Sequence, residues 1–278
     1  MSTNPAFIFD TTSMLRNKAR GRRMGTDGDF LRQEIADRLQ DRLLDINRTF
    51  TAPLDIGSDY GRLSGWQNSG ASIPISDAPI AAKPDSHDLI VSNLNMHWVN
   101  DLPGLLVQIN RTLKPDGMFI GSMLGGNTLT ELRHSLLAAE AEITGGAHAR
   151  IIPFAEVKDM GSLLQRAGFT LPVADTDTLT ATYEHPLKLM RELRAMGEAN
   201  AHIDRPKTTL RRDVLMRACE IYQRDYSNPD GRIRATFQVL YMVGWHPHKS
   251  QQKPLKPGSA TMRLEAALKA TAPAKNDR

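Results

Sequence analysis

Asp55, Gly57, Ser58, Asp59 and Gly61, in the stretch PLDIGSDYG, have the spacing of a tight backbone turn around a ligand. Glycines at such positions let the main chain approach a ligand with no Cβ in the way. Asp59 stands where a further glycine would complete the alternation. Aspartate tolerates unusual backbone angles better than most residues, but it adds bulk and negative charge, so the turn is expected to bind weakly. The purely structural alternative is a strand-to-helix turn. A second group, Asn93, Asn95, His97 and Trp98, follows the apolar run DLIVS. There, asparagines can bind an amide or guanidinium, a histidine can take a proton near neutral pH, and a tryptophan can wall a pocket or stack on a cation. The bland alternative makes Trp98 a core anchor and His97 a satisfied spectator.

Two other features carry less chemistry. His246-Pro-His248 has no acid at a suitable spacing, and Pro247 forces an extended turn, so no metal site is expected. Cys219 is the only cysteine and sits in an apolar helical pattern, VLMRACEIY. That suits a buried small residue in a reducing compartment.

The elements that must position these groups alternate between helix and strand. Leu31, Ile35, Leu39, Leu43 and Ile46 recur at helical spacing, and Leu54-Asp55-Ile56 follows Pro53 as a short strand. Asp88–Ser92 reads as a buried parallel strand. Asp101 caps a helix with Pro103 in its first turn, and a Pro-Asp-Gly turn then feeds the strand Met118–Met123. Residues 88–123 therefore form a strand-helix-strand unit with a right-handed crossover. Thr128 and Glu131 have capping-box spacing for a helix that Gly145-Gly146 stops. Another helix ends at Gly168. Thr176–Tyr183 and Ile233–Val243 alternate like strands, with helices expected at Pro186–Met196 and Thr209–Tyr222 between them. A terminal helix is expected at Ala260–Lys269.

The bulk numbers exclude some classes. The 278 residues are 40% hydrophobic and 24% charged, with a net charge of +4. No apolar run approaches the ~20 residues a membrane-spanning helix needs, and no secretory signal is visible at the start. The basic excess lies in RNKARGRR (Arg16–Arg23) and KSQQKPLKPGS (Lys249–Ser259). The first lacks interleaved aromatics for base stacking, which argues against nucleic acid. It reads as a solvated or internally paired arm. Lys249, Lys253 and Lys256 could meet an acidic partner or an anionic membrane surface, or simply keep the tail solvated.

Three ordered segments carry a family resemblance. DIGSDYG resembles the first motif of class I S-adenosylmethionine-dependent methyltransferases, HDLIVSNLNMHWVNDLP their fourth strand and following loop, and LKPDGMFIG their turn into the fifth strand. Within that superfamily the chain resembles the group containing the malonyl-acyl-carrier-protein methyltransferase of biotin synthesis and a respiratory complex I assembly factor that hydroxylates an arginine. GGNTLTELRHSLLAAEAEITGG, LMRELRAMGEANA and SQQKPLKPGSA resemble the assembly-factor branch.

The resemblance implies a Rossmann-like α/β fold and S-adenosylmethionine held by Asp55, Gly57, Ser58, Asp59, Gly61 and Asn93. Asp77 aligns with the acid that contacts adenine; the equal alternative is an ordinary turn aspartate. Asn95, His97 and Trp98 would line the substrate. No catalytic residue is assigned, since the nucleophile of a methyl transfer comes from the substrate. The implied partner is a protein such as a complex I subunit, at the inner face of a respiratory membrane; a eukaryotic location would be the mitochondrial matrix. A cytoplasmic chain with peripheral membrane contact fits the composition.

One departure sets a second expectation. Only 26 residues (62–87) separate Gly61 from Asp88. The family's strand-helix-strand-helix path there needs roughly 40 or more. The parallel sheet should be shortened, with one short strand at Ser72–Ser76, and the acid that grips the ribose hydroxyls would be lost. The alternative function is a non-catalytic assembly or chaperone factor that has lost the cofactor. The expected organisation is an arm and helix over 1–50, the α/β domain over 51–243 with a helical insertion near 185–225, and a basic tail over 244–278.

Overall fold

Leu89, Ile90 and Val91 are buried on both faces of β3 (His87–Ser92), as their apolar run requires. The computed structural model, which describes residues 7–25, 30–57, 72–75 and 77–252, places β3 inside a sheet of order β2-β1-β3-β4-β6-β5. The other strands are β1 (Pro53–Ile56), β2 (Ser72–Ile73), β4 (Leu113–Leu124), β5 (Thr170–Tyr183) and β6 (Ile233–Trp245). β2, β1, β3 and β4 pair in parallel, and β6 is antiparallel to both β4 and β5. This is a Rossmann-like class I methyltransferase fold.

Helices cover both faces. On one side α2 (Phe30–Leu44), α4 (Thr130–Thr144), α6 (Pro186–Ala195) and α7 (Arg212–Tyr226) bury Leu31, Leu39, Leu132, Leu189 and Tyr222. On the other, α3 (Leu102–Thr112) and α5 (Val157–Arg166) bury Leu106, Ile109, Met160 and Leu164. The expected crossover is present: Asp101 accepts from Gly104 N at 2.8 Å at the start of α3. The expected stops are present too, with Gly145 at φ 72° and Gly168 at φ 86°.

The sheet is short where the chain is short. It has six strands among the described residues, and Leu54 of β1 lies opposite Ile90 of β3. Of the strand expected at Ser72–Ser76, only Ser72 and Ile73 pair, against Asp55 and Ile56. Residues 58–71, with the turn residues Ser58, Asp59 and Gly61, lie outside the described residues, as do Ser76 and the helix expected at Ala260–Lys269.

Four expectations are corrected. Thr128 and Glu131 form no capping box. Leu129, at φ 54°, precedes α4 with no side-chain cap; Thr128 Oγ1 instead donates to Gln238 O at 3.0 Å, and Glu131 accepts from Thr236 Oγ1 at 2.5 Å. Both side chains satisfy β6 rather than the helix end. The Pro-Asp-Gly turn is absorbed into β4 as an irregularity: His87 faces Leu113 and Leu89 faces Met118, with Asp116 at φ 63° between them. β5 begins at Thr170, six residues before its alternation becomes plain, and pairs with nearly all of β6. Finally, the basic arm is a helix, α1 (Thr11–Arg23), capped by Asp10, which accepts from Ser13 N at 3.0 Å.

A second unit, from His248 onward, is described only to residue 252. No helix among the described residues is long and apolar enough to cross a membrane.

Candidate functional site

The carboxyl ends of β1, β3 and β4 meet at one edge of the sheet, where ligands bind in open α/β folds. Ser92 Oγ donates to Ile56 O at 2.8 Å and locks β3 to β1 there. Asp55 is buried one residue before the end of β1. Gly57 leaves the strand at φ +86°, and its N–H bonds Ile73 O at 2.8 Å. A Cβ on Gly57 would come within 2.8 Å of Ile75 Cβ and 3.1 Å of Asn95 Cβ. Only glycine fits both the angle and the space.

The loop after β3 is held from three sides. Asn93 Oδ1 accepts from Ser122 Oγ at 3.0 Å, and its Nδ2 donates to Arg32 O at 2.9 Å, so it links β4 to α2. Leu94 takes φ +48°, which turns the next side chains back under the helices. Asn95 is fully buried. Its Nδ2 donates to Asn93 O at 2.6 Å, and its Oδ1 accepts from Lys18 Nζ at 2.5 Å and Arg32 Nη1 at 3.5 Å.

Glu198 closes this network. It accepts from Arg32 Nη2 at 3.1 Å, from His97 Nε2 at 3.0 Å and from Trp98 Nε1 at 3.0 Å. Because the carboxylate accepts, the hydrogen on His97 is at Nε2. His97 Nδ1 is buried with no hydrogen-bond partner among the described residues. Burial penalises the Glu198 charge, yet His97, Arg32 and Lys18 outweigh that and hold its pKa below the ordinary carboxylate value.

Sequence reasoning brought Asp55, Gly57, Asn93, Asn95, His97 and Trp98 to one edge, and the structure places them there. Trp98 both anchors and lines: it is buried, its ring meets Phe9 edge-on at 5.5 Å, and it borders a cavity. Asp77 lies after β2 and ties loops together. Its carboxylate accepts from Asn100 N at 2.8 Å, Asn100 Nδ2 at 2.9 Å and Thr11 Oγ1 at 3.2 Å. The metal-like pair is otherwise used too, since His246 Nδ1 bonds Asn110 Oδ1 at 2.7 Å. Cys219 is buried, and desolvation raises its pKa, which keeps it a thiol.

Lys18, Arg32 and Glu198 were missed. Lys18 belongs to the run read as a solvated or internally paired arm, and its helix brings it inward to pair with Asn95. The available signal was glycine. A Cβ on Gly21 would sit 2.5 Å from Ala195 O, and one on Gly197, at φ +79°, 3.0 Å from Lys18 Cα. These two glycines let α1 press against the end of α6, which delivers Lys18 and Glu198 to the same spot.

Beyond Trp98 lies a cavity of about 530 Å³ between α1, α4, α6 and the segment 150–154. Leu132, Leu136, Phe154, Met190 and Leu193 wall it, and Arg20, Arg150 and Arg194 reach its surface.

Comparison with known proteins agrees with this geometry. A family model described as a methyltransferase domain matches residues 28–172. The mitochondrial arginine-hydroxylase NDUFAF5 of Danio rerio is 42% identical over 259 residues, covering 84% of this chain and 80% of that one. A malonyl-[acyl-carrier protein] O-methyltransferase of Halorhodospira halophila is 31% identical over 244 residues, covering 77% of this chain and 81% of that one. The crystal structure of YcgJ from Bacillus subtilis superposes with a TM-score of 0.49 at 12% identity, over 76% of this chain and 98% of that one. With more than half its length matched and relatives of this identity along most of it, the chain belongs to the methyltransferase-domain family.

Proposed function

We propose that the protein is an S-adenosylmethionine-dependent enzyme that modifies a protein side chain during respiratory complex I assembly, at the inner face of a respiratory membrane. The observation that carries this reading is the Gly57 turn. It combines a left-handed backbone, a buried acid two residues earlier and packing against Ile75 and Asn95 so close that no Cβ fits. Those features fit a cofactor laid across the carboxyl edge. The family supports the cofactor class, and the name of the arginine-hydroxylase relatives supports a protein substrate.

In this reading Asp55, Gly57 and Asn93 hold the cofactor, which supplies an activated methyl group when bound. Asn95, His97 and Trp98 face the substrate side. The main requirement for methyl transfer is alignment, and the chain meets it by fixing its loop rather than by supplying a nucleophile. Glu198, bonded to His97 Nε2 and Trp98 Nε1, fixes the orientation of both rings. Arginine hydroxylation is the alternative chemistry that the relatives' name suggests.

Two observations favour a second reading, a non-catalytic assembly factor. Lys18 reaches Asn95 at the edge where a cofactor would lie, and β2 has only two residues among those described. Calorimetric titration of the purified protein with S-adenosylmethionine and S-adenosylhomocysteine separates the two. Binding that is lost in a folded Gly57→Val variant supports the enzyme. No heat from the unaltered protein supports the assembly factor. If binding is weak, Asp59→Gly should tighten it by removing charge beside the cofactor's carboxylate.

A further inference from the structure

Three arginines, Arg20, Arg150 and Arg194, line the cavity beyond Trp98. Arg20 Nη2 donates to Asn17 Oδ1 at 2.9 Å, and its Nε is buried with no hydrogen-bond partner among the described residues. Arg150 Nη2 donates to Glu140 Oε1 at 2.6 Å, and its Nε is likewise buried without one. Guanidinium Nε–H groups are strong donors that cannot be deprotonated at neutral pH, so burying them unpaired is costly. Burial, and next the nearby Arg194, lower the Arg20 pKa. Like charges have thus been set side by side at one wall.

Among the described acids, Glu140 offsets Arg150, and Glu198 is committed elsewhere. The Glu198 carboxylate is taken by Arg32, His97 and Trp98. Glu140 is taken by Arg150 and by His148, whose N–H and Nδ1 lie 2.8 and 3.0 Å from it. Leu132, Leu136, Met190 and Leu193 make much of the lining apolar. The volume of about 530 Å³ suits a small organic ligand. Apolar walls that also carry arginine side chains select for a body and a head of different character.

We propose that this cavity binds an organic oxyanion, a carboxylate or phosphate head on an apolar body, with Arg20, Arg150 and Arg194 gripping the head. The proposal goes beyond the function inferred above, since it needs no cofactor. It also makes the cavity a poor place for a cationic arginine side chain, because the incoming charge would meet Arg20 and Arg194, both of its own sign, in a partly dry site. A protein substrate would then be read outside this chamber, and the chamber would serve a separate small anion or an acidic side chain.

The test uses the full-length protein and four matched probes with one phenylbutyl body: phenylbutyrate, phenylbutyl phosphate, phenylbutanol and phenylbutylguanidine. Affinities come from ligand-observed NMR titration. At least one anion should bind about tenfold or more tighter than the alcohol, the equivalent of one charge-assisted contact. Which anion leads distinguishes a carboxylate from a phosphate ligand. The guanidine should bind least. Arg20→Gln and Arg194→Gln should each weaken the anion about tenfold and leave the alcohol unchanged. Arg194 is exposed, so its variant should keep the parent melting temperature and remain interpretable if Arg20→Gln unfolds.

Equal affinity for alcohol and anions would overturn the proposal. So would preference for the guanidine, or anion affinity indifferent to both substitutions. S-adenosylmethionine is titrated separately. Anion binding without cofactor binding would sink the enzyme reading and leave the cavity assignment standing.

Discussion

The two sides of Trp98 solve the problem of burying charge in opposite ways. On the β3 side, Lys18, Arg32, Glu198, Asn95 and His97 exchange short hydrogen bonds, and one carboxylate collects three donors. On the cavity side, Arg20 and Arg150 each bond one partner through Nη2, and their Nε atoms have none among the described residues. A carboxylate that collects three donors fixes their geometry. Arginine side chains beside apolar walls offer charge to a ligand instead. The molecule thus uses one cluster to hold the loop after β3 in place and leaves the other free to meet a ligand. α1 serves both, since Lys18 points to the first and Arg20 borders the second.

The largest effect should come from breaking the satisfied side. Glu198→Ala leaves Arg32 buried without its carboxylate and orphans donors on His97 and Trp98. Removing one partner of a buried ion pair costs about 3–5 kcal/mol. Urea unfolding should show that loss, with Glu198→Gln retaining part of the stability through its amide oxygen. The pH dependence has a fixed sign. The folded Glu198 pKa is depressed below the unfolded value of about 4.3. Its contribution is therefore complete above that value and is lost as pH falls through the folded pKa. A wild-type acid-unfolding profile that matches that of Glu198→Gln would mean the network is not held by this charge.

A smaller loss is expected at the turn. Gly57→Ala forces a Cβ into 2.8 Å contact with Ile75 at a positive φ. The combined strain should cost about 1–3 kcal/mol. The comparison predicts where it spreads: β2 should exchange its amide hydrogens faster, while Asn93–Trp98, held by Ser122, Arg32 and Glu198, should stay protected. Uniformly faster exchange across both segments would show that the turn and the loop form one unit rather than two.

These two regions were not equally legible in the sequence. The β1 turn, β3 and its loop were readable because they are local: an apolar run, alternating glycines and a cap at Asp101 each leave a mark within a few residues. The short sheet was legible from arithmetic, since 26 residues cannot carry the longer path. Lys18, Glu198 and the cavity arginines were not, because they come together only through packing. Lys18 and Asn95 are 77 positions apart, and Arg32 and Glu198 are 166 apart. A basic run reads as solvated until some neighbour is seen to cover it. The Thr128–Glu131 spacing misled for the opposite reason. The local pattern was genuine, but β6 offered both side chains partners that the helix end could not match.

The smallest predicted change tests whether α1 couples the two sides. Asp10 caps the helix through Ser13 N at 3.0 Å and also accepts from Ser13 Oγ at 2.8 Å and Arg205 at 2.9 Å. Those hydrogen bonds, first of all the one from Ser13 N, hold its pKa well below the usual carboxylate range. Asp10→Ala should cost about 1 kcal/mol, the typical loss of an N-cap. The Asp10 contribution should be present above the unfolded value of about 3.9 and vanish as pH falls through the folded pKa. The more telling readout is functional. Fraying the start of α1 loosens Lys18 and Arg20 together, two residues apart on the same helix. Anion affinity in the cavity should therefore fall along with amide protection at Asn95, despite the modest stability loss. If anion binding weakens while Asn95 keeps full protection, α1 does not couple the two sides, and Arg32 and Glu198 hold the loop without it.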